Sequence, residues 1–137
     1  YMIPTLVLRW ERTSYSKRRE KEDTYFYAFS RAGKLLYIGI AIYQSVHDEI
    51  RNTINDFGLD PCGLVIWLGY IVESDYRKIT EKLIRDVECL LIYAHNPPLN
   101  THCTSNYPGR DKLKVKNIGC PYISSVMVNR WEVTLLS

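Results

Sequence analysis

The 137 residues carry 46% hydrophobic side chains, enough for one compact domain with its own core, and the whole of 1–137 reads as a single domain. A net charge of +3 permits a polyanionic partner without demanding one. The longest apolar run, residues 64–72, is broken by Gly69 and falls far short of a membrane span.

In chain order, residues 2–10 suggest a short strand with Pro4 near its start, and the charged stretch 11–23 reads as a solvated linker. Residues 24–30 and 34–40 are aromatic and strand-prone, and Arg31-Ala32-Gly33 between them suits a hairpin turn. Ser45 can cap a helix that runs to Phe57, where Gly58 is placed to stop it. Residues 64–72 suit a strand buried on both faces. Ser74 or Asp75 can cap a second helix running to His95, with Pro97-Pro98 beyond it. Its apolar stripe is Ile79, Leu83, Val87, Leu90, Leu91 and Ala94, which leaves Glu81 and Asp86 for the solvated side. Lys112, Lys114 and Lys116 alternate with Leu113 and Val115, as in a strand with lysines on one side, and residues 122–136 hold further strand-like material. This order points to an α+β domain.

Four cysteines, Cys62, Cys89, Cys103 and Cys120, show no CxxC spacing, and with no secretory signal in view they read as reduced thiols of a cytoplasmic protein. A zinc site from His95, His102, Cys103 and Cys120 lacks any finger-like spacing. No nucleophile elbow marks a serine or cysteine hydrolase.

Glu88 stands out in the second helix. Its helical neighbours Ile84, Val87, Leu91 and Ile92 are apolar, and a carboxylate beside a core stripe needs a partner, a hydrogen bond or a cation. The ordinary alternative is a residue at the core boundary whose carboxylate reaches solvent. Tyr27 and Tyr37 lie ten residues apart across the turn, and Gly39 follows where a missing side chain allows a close approach by a backbone or a phosphate.

These residues resemble the GIY-YIG nuclease superfamily. Tyr25-Phe26-Tyr27 is similar to the first signature and Tyr37-Ile38-Gly39 to the second, while Glu88-Cys89-Leu90-Leu91 with Pro98-Leu99-Asn100 is similar to the later glutamate, proline and asparagine. The likeness covers residues 24–100, with 1–23 and 101–137 as extensions. It implies a small three-stranded antiparallel or mixed sheet flanked by helices, with strand-like segments appended at both ends. It also implies a DNA endonuclease that hydrolyses phosphodiester bonds, with Mg²⁺ or Mn²⁺ on Glu88. Tyr27 and Tyr37 would position or activate water, and Asn100 would brace the site.

Tyr25 stands where the family has glycine, Ile40 where many members have lysine, and His47 where arginine is expected. Arg51 lies one helical turn further on, so His47 and Arg51 are expected to act as a swapped pair facing the phosphate. The alternative is a nucleic-acid-binding module on the same fold that has lost catalysis. Arg110, Lys112, Lys114 and Lys116 form the expected DNA-backbone patch. A protein-interaction domain is a third reading, favoured if the tyrosine hydroxyls are buried and saturated.

Overall fold

In the computed structural model, which describes residues 3–13 and 24–129, the elements are six strands and two helices. They are β1 (Thr5–Thr13), β2 (Thr24–Arg31), β3 (Lys34–Ile40), α1 (Val46–Phe57), β4 (Val65–Ser74), α2 (Glu81–His95), β5 (Leu113–Ile118) and β6 (Val126–Asn129). All six strands join one curled, half-barrel sheet in the order β3-β2-β4-β1-β5-β6.

The expected small three-stranded sheet is therefore corrected. β1 and β5 are not appended segments. β1 runs antiparallel along the length of β4, from Leu6 opposite Ser74 to Thr13 opposite Ile66, and parallel to β5 on its other side. β4 pairs with β2 along one edge and with β1 along the other, which carries the sheet past its β2–β3–β4 portion. Residues 11–13, expected in the linker, belong to β1, while residues 14–23 and 130–137 lie outside the described residues.

Both faces of the sheet are buried near β2, because its successive side chains point to opposite faces. Phe26 and Ala28 pack with Leu6, Leu8, Trp10 and the α2 residues Leu83, Val87 and Leu91. Tyr27 and Phe29 pack instead with Val46, Ile50 and Ile54 of α1 and with Ile66 and Leu68 of β4. The two helices thus lie on opposite faces, and the edge strand β3 is where a cleft between them can form.

Local chemistry accounts for the ends of α1. The Ser45 side chain accepts from the Asp48 N–H at 3.1 Å, and Gly58 leaves the helix in the left-handed conformation (φ 63°). The hairpin turn places Ala32 (φ 51°) and Gly33 (φ 78°) both in the left-handed region, as a two-residue turn requires. α2 starts later than expected. Thr80, not Ser74 or Asp75, is its cap, accepting from Leu83 N–H at 3.1 Å. Asp75 instead accepts from the Thr5 N–H at 2.8 Å, tying the end of β4 to the start of β1.

Two further expectations are corrected. Asp86 is not on a solvated face; it is 3% exposed and pairs with Arg110 Nε at 2.7 Å and Lys82 Nζ at 2.8 Å. Cys89 and Cys103 are not free thiols but form a disulfide, which leaves Cys62 and Cys120 reduced. Among the described residues, no helix is long and apolar enough to cross a membrane.

Candidate active site

A cleft of about 430 Å³ opens at the β3 edge, lined by Tyr37 from β3, Glu49 from α1, Arg85 and Glu88 from α2, and His102 from the loop beyond. Ile40, Ile42, Tyr43 and Gln44 complete its wall. A second cleft of about 330 Å³ adjoins it. Arg85, Glu88 and His102 line both, so the Glu88–His102 contact, 3.4 Å between Oε1 and Nε2, stands between the two.

Tyr27 sits behind this wall rather than in it. Its side chain is 0% exposed, and its hydroxyl pairs with Thr53 Oγ1 at 2.7 Å. The Thr53 hydroxyl also reaches the Glu49 carbonyl at 2.9 Å, anchoring Tyr27 to the turn of α1 that presents Glu49. The Tyr27 and Tyr37 rings lie 6.0 Å apart. Burial pushes the Tyr27 hydroxyl far above the usual phenol range, so the phenolate that could serve as a base is not populated near neutral pH. Tyr37 is also shifted up, first by burial and then by the nearby Glu88 carboxylate, while the neighbouring Tyr27 hydroxyl pulls the other way.

Gly39 explains how Tyr27 fits. A Cβ on Gly39 would lie 2.4 Å from the Tyr27 ring, so the phenol crosses directly over this glycine. The close approach expected at Gly39 is made by Tyr27, not by a ligand. Asn100 braces β3 from outside: its Oδ1 accepts from Ile38 N–H at 3.0 Å and its Nδ2 donates to Ile38 C=O at 2.9 Å. The amide thereby completes the outer edge of β3 between Tyr37 and Gly39, as a neighbouring strand would.

Glu88 is 8% exposed, and burial raises its pKa. His102 and Arg85 oppose that rise, whereas Glu49 adds to it, so two carboxylates and an imidazole share one electrostatic neighbourhood. Among the described residues, no three His, Cys, Asp or Glu side chains draw together in a group that could hold a metal ion.

The expected His47/Arg51 pair is not brought to the cleft. Arg51 is 55% exposed and paired with Asp48 at 2.5 Å, and the His47 ring nitrogen Nε2 is buried without a hydrogen-bond partner. α1 turns Glu49 and Thr53 toward the site, and residues 47 and 51 fall away from that face. Arg85 supplies the permanent positive charge in the cleft, with Nε held by Glu81 at 3.0 Å. Glu81 also accepts from the Tyr43 hydroxyl.

None of the residues of the expected basic patch lines this cleft. Arg110 is committed to buried Asp86 and lies over the Tyr76 ring. Lys112 precedes β5, with its carbonyl accepting from the Tyr76 hydroxyl at 3.2 Å. Lys114 and Lys116 do alternate with buried Leu113 and Val115, but β5 lies four strands from β3, roughly 20 Å across the sheet. The zinc set is dispersed as well, since Cys103 is disulfide-bonded and both His95 nitrogens have backbone partners.

Sequence reasoning missed Glu49 and Arg85, and it weighed His102 only within the zinc set. Glu49 was legible as the residue one turn before Thr53, and Arg85 as the residue one turn before Glu88. No local signal marks His102. No family model matches the chain, and no curated protein or solved structure gives a significant match.

Proposed function

We propose that this protein is a divalent-metal-dependent DNA endonuclease of GIY-YIG type, hydrolysing phosphodiester bonds in the cleft at the β3 edge. The observation that carries the reading is the convergence of Tyr37, Glu88 and Arg85 on one cleft, with Tyr27 and Asn100 fixed behind it. The resemblance of the two tyrosine signatures and of the Glu88 to Asn100 segment supports the same reading.

On this reading a hard cation is assigned one protein donor. Glu88 has a mostly buried carboxylate whose charge burial disfavours, and a bound cation would offset that cost. Glu88 would hold Mg²⁺ or Mn²⁺, with water and phosphate oxygens completing the shell. When bound, the ion supplies Lewis-acid stabilisation of charge developing on the phosphate. Arg85 binds the phosphate, its planar fork suited to two oxygens. Tyr37 holds the attacking water by its hydroxyl. Tyr27 acts through Tyr37, as a positioning residue rather than a base, because its own ionisation is suppressed. Arg85 thereby takes the role that the sequence assigned to His47 and Arg51. The proposed setting is the cytoplasm, where disulfides are usually transient.

A second reading, DNA binding without cleavage, draws on the full burial of Tyr27 and the absence of His47 and Arg51 from the cleft wall. Incubation with supercoiled plasmid and short duplex DNA in Mg²⁺, Mn²⁺ or chelator separates the two. Metal-dependent nicking or linearisation supports the nuclease. Retained binding with no cleavage in either metal rejects it.

A further inference from the structure

Glu88-Cys89 on α2 and His102-Cys103 in the following loop form two adjacent cross-links. One is the 3.4 Å contact of His102 Nε2 with Glu88 Oε1, and beside it the disulfide joins Cys89 to Cys103. The loop is anchored upstream as well, where Asn100 grips Ile38. We infer that His102 is a second protein ligand of the cation held by Glu88, and that the Cys89–Cys103 disulfide positions it there. The inference rests on the proposed cation site.

Three observations carry it. His102 lines both clefts beside Glu88, and its Nε2 lies 3.4 Å from Glu88 Oε1, a separation that one cation bound to both atoms would span. Its side chain is 57% exposed, so packing alone does not account for its position; the disulfide and the Asn100 anchor do. The second cleft is lined by both bridged cysteines together with Glu88 and His102; Cys89 is 5% exposed and Cys103 partly exposed, so a dithiol would approach the bridge from the Cys103 side. Such a reductant would attack one sulfur as thiolate, form a mixed disulfide, and leave as its own disulfide, placing two electrons and two protons on the Cys89 and Cys103 thiols. The released loop would no longer hold His102 against Glu88. An imidazole beside a carboxylate also shifts preference from Mg²⁺ toward Mn²⁺, because nitrogen donors suit later metals better.

Mn²⁺ binding to the full oxidised chain tests this by calorimetry and by pulsed electron paramagnetic resonance, which detects nitrogen on the ion. The parent is expected to bind Mn²⁺ with an imidazole nitrogen signal. His102→Ala should lose that signal, weaken Mn²⁺ binding about tenfold or more, and weaken Mg²⁺ binding less. Cys89→Ser with Cys103→Ser should move in the same direction. A parent complex without nitrogen signal, or a His102→Ala variant that binds Mn²⁺ as tightly as the parent or more tightly, overturns the assignment of His102. An unaltered nitrogen signal and affinity in the double serine variant removes the disulfide from it. Glu88→Gln separates this inference from the proposed function: if it binds Mn²⁺ like the parent, the cation site itself is wrong.

Discussion

Tyr27 and Tyr37 occupy different surroundings. Tyr37 faces the cleft, and Tyr27 is buried with Thr53 and lies over Gly39. Tyr37→Phe should therefore reduce cleavage on the order of 10²-fold or more, since it removes a hydroxyl at the proposed reacting centre. Tyr27→Phe should cost about 1 kcal/mol of stability through one lost buried hydrogen bond, and less cleavage than Tyr37→Phe. Single-turnover cleavage with thermal melts of both variants checks the order; a larger catalytic loss at Tyr27 would make it a participant. Gly39→Ala should destabilise the fold by about 1–3 kcal/mol, because the Tyr27 ring has no room to retreat in a packed site. Denaturant melts measure it, and an unchanged midpoint would show that the ring can shift freely. At this scale the sequence was informative: the tyrosines, Gly39 and Glu88 were all visible. That Gly39 receives Tyr27 was not, since one sequence does not say which of several large neighbours crosses a glycine.

At the scale of elements, α1 was legible because Ser45 and Gly58 act on their own helix ends. The start of α2 was not, because Ser74, Asp75 and Thr80 all have capping chemistry, and Ser74 belongs to β4 while Asp75 is tied to Thr5. Asp86 looked solvent-facing from helical periodicity, yet its partner Arg110 comes 24 residues later. The same limit hid the rotation of α1 that turns Glu49, rather than His47 and Arg51, toward the cleft. This rotation makes a sharp comparison available. Arg85→Ala should severely reduce cleavage and weaken DNA binding with a shallower salt dependence, whereas Arg51→Ala should leave both near parental values. Cleavage rates and binding across salt concentrations decide between them; loss of activity in Arg51→Ala with none in Arg85→Ala would return the phosphate contact to α1.

Over the whole molecule, the expected core sheet expands to six strands because β1 pairs with both β4 and β5, contacts between residues far apart in sequence. Strand propensity shows that such segments are extended but not which edge they join. His95 helps to hold this distal half together: its Nδ1–H donates to the Leu91 carbonyl and its Nε2 accepts from the Ser124 N–H, each at 2.8 Å. Burial lowers its pKa below the ordinary histidine value. The unfolded chain then takes up the proton first, so this stabilisation is complete above about pH 6.5 and is lost as pH falls through the folded-state value. Melting temperature from pH 7.5 to 5 should fall more steeply in the parent than in His95→Gln, and equal slopes would remove His95 from the account. The central claim is metal-dependent hydrolysis at Glu88, tested most directly by single-turnover cleavage of plasmid DNA in Mn²⁺ by parent and Glu88→Gln proteins of matched fold. Chelator-sensitive cleavage by the parent and none by Glu88→Gln is the predicted result, because a neutral amide is a poor ligand for a hard cation; equal cleavage by the two proteins would contradict it.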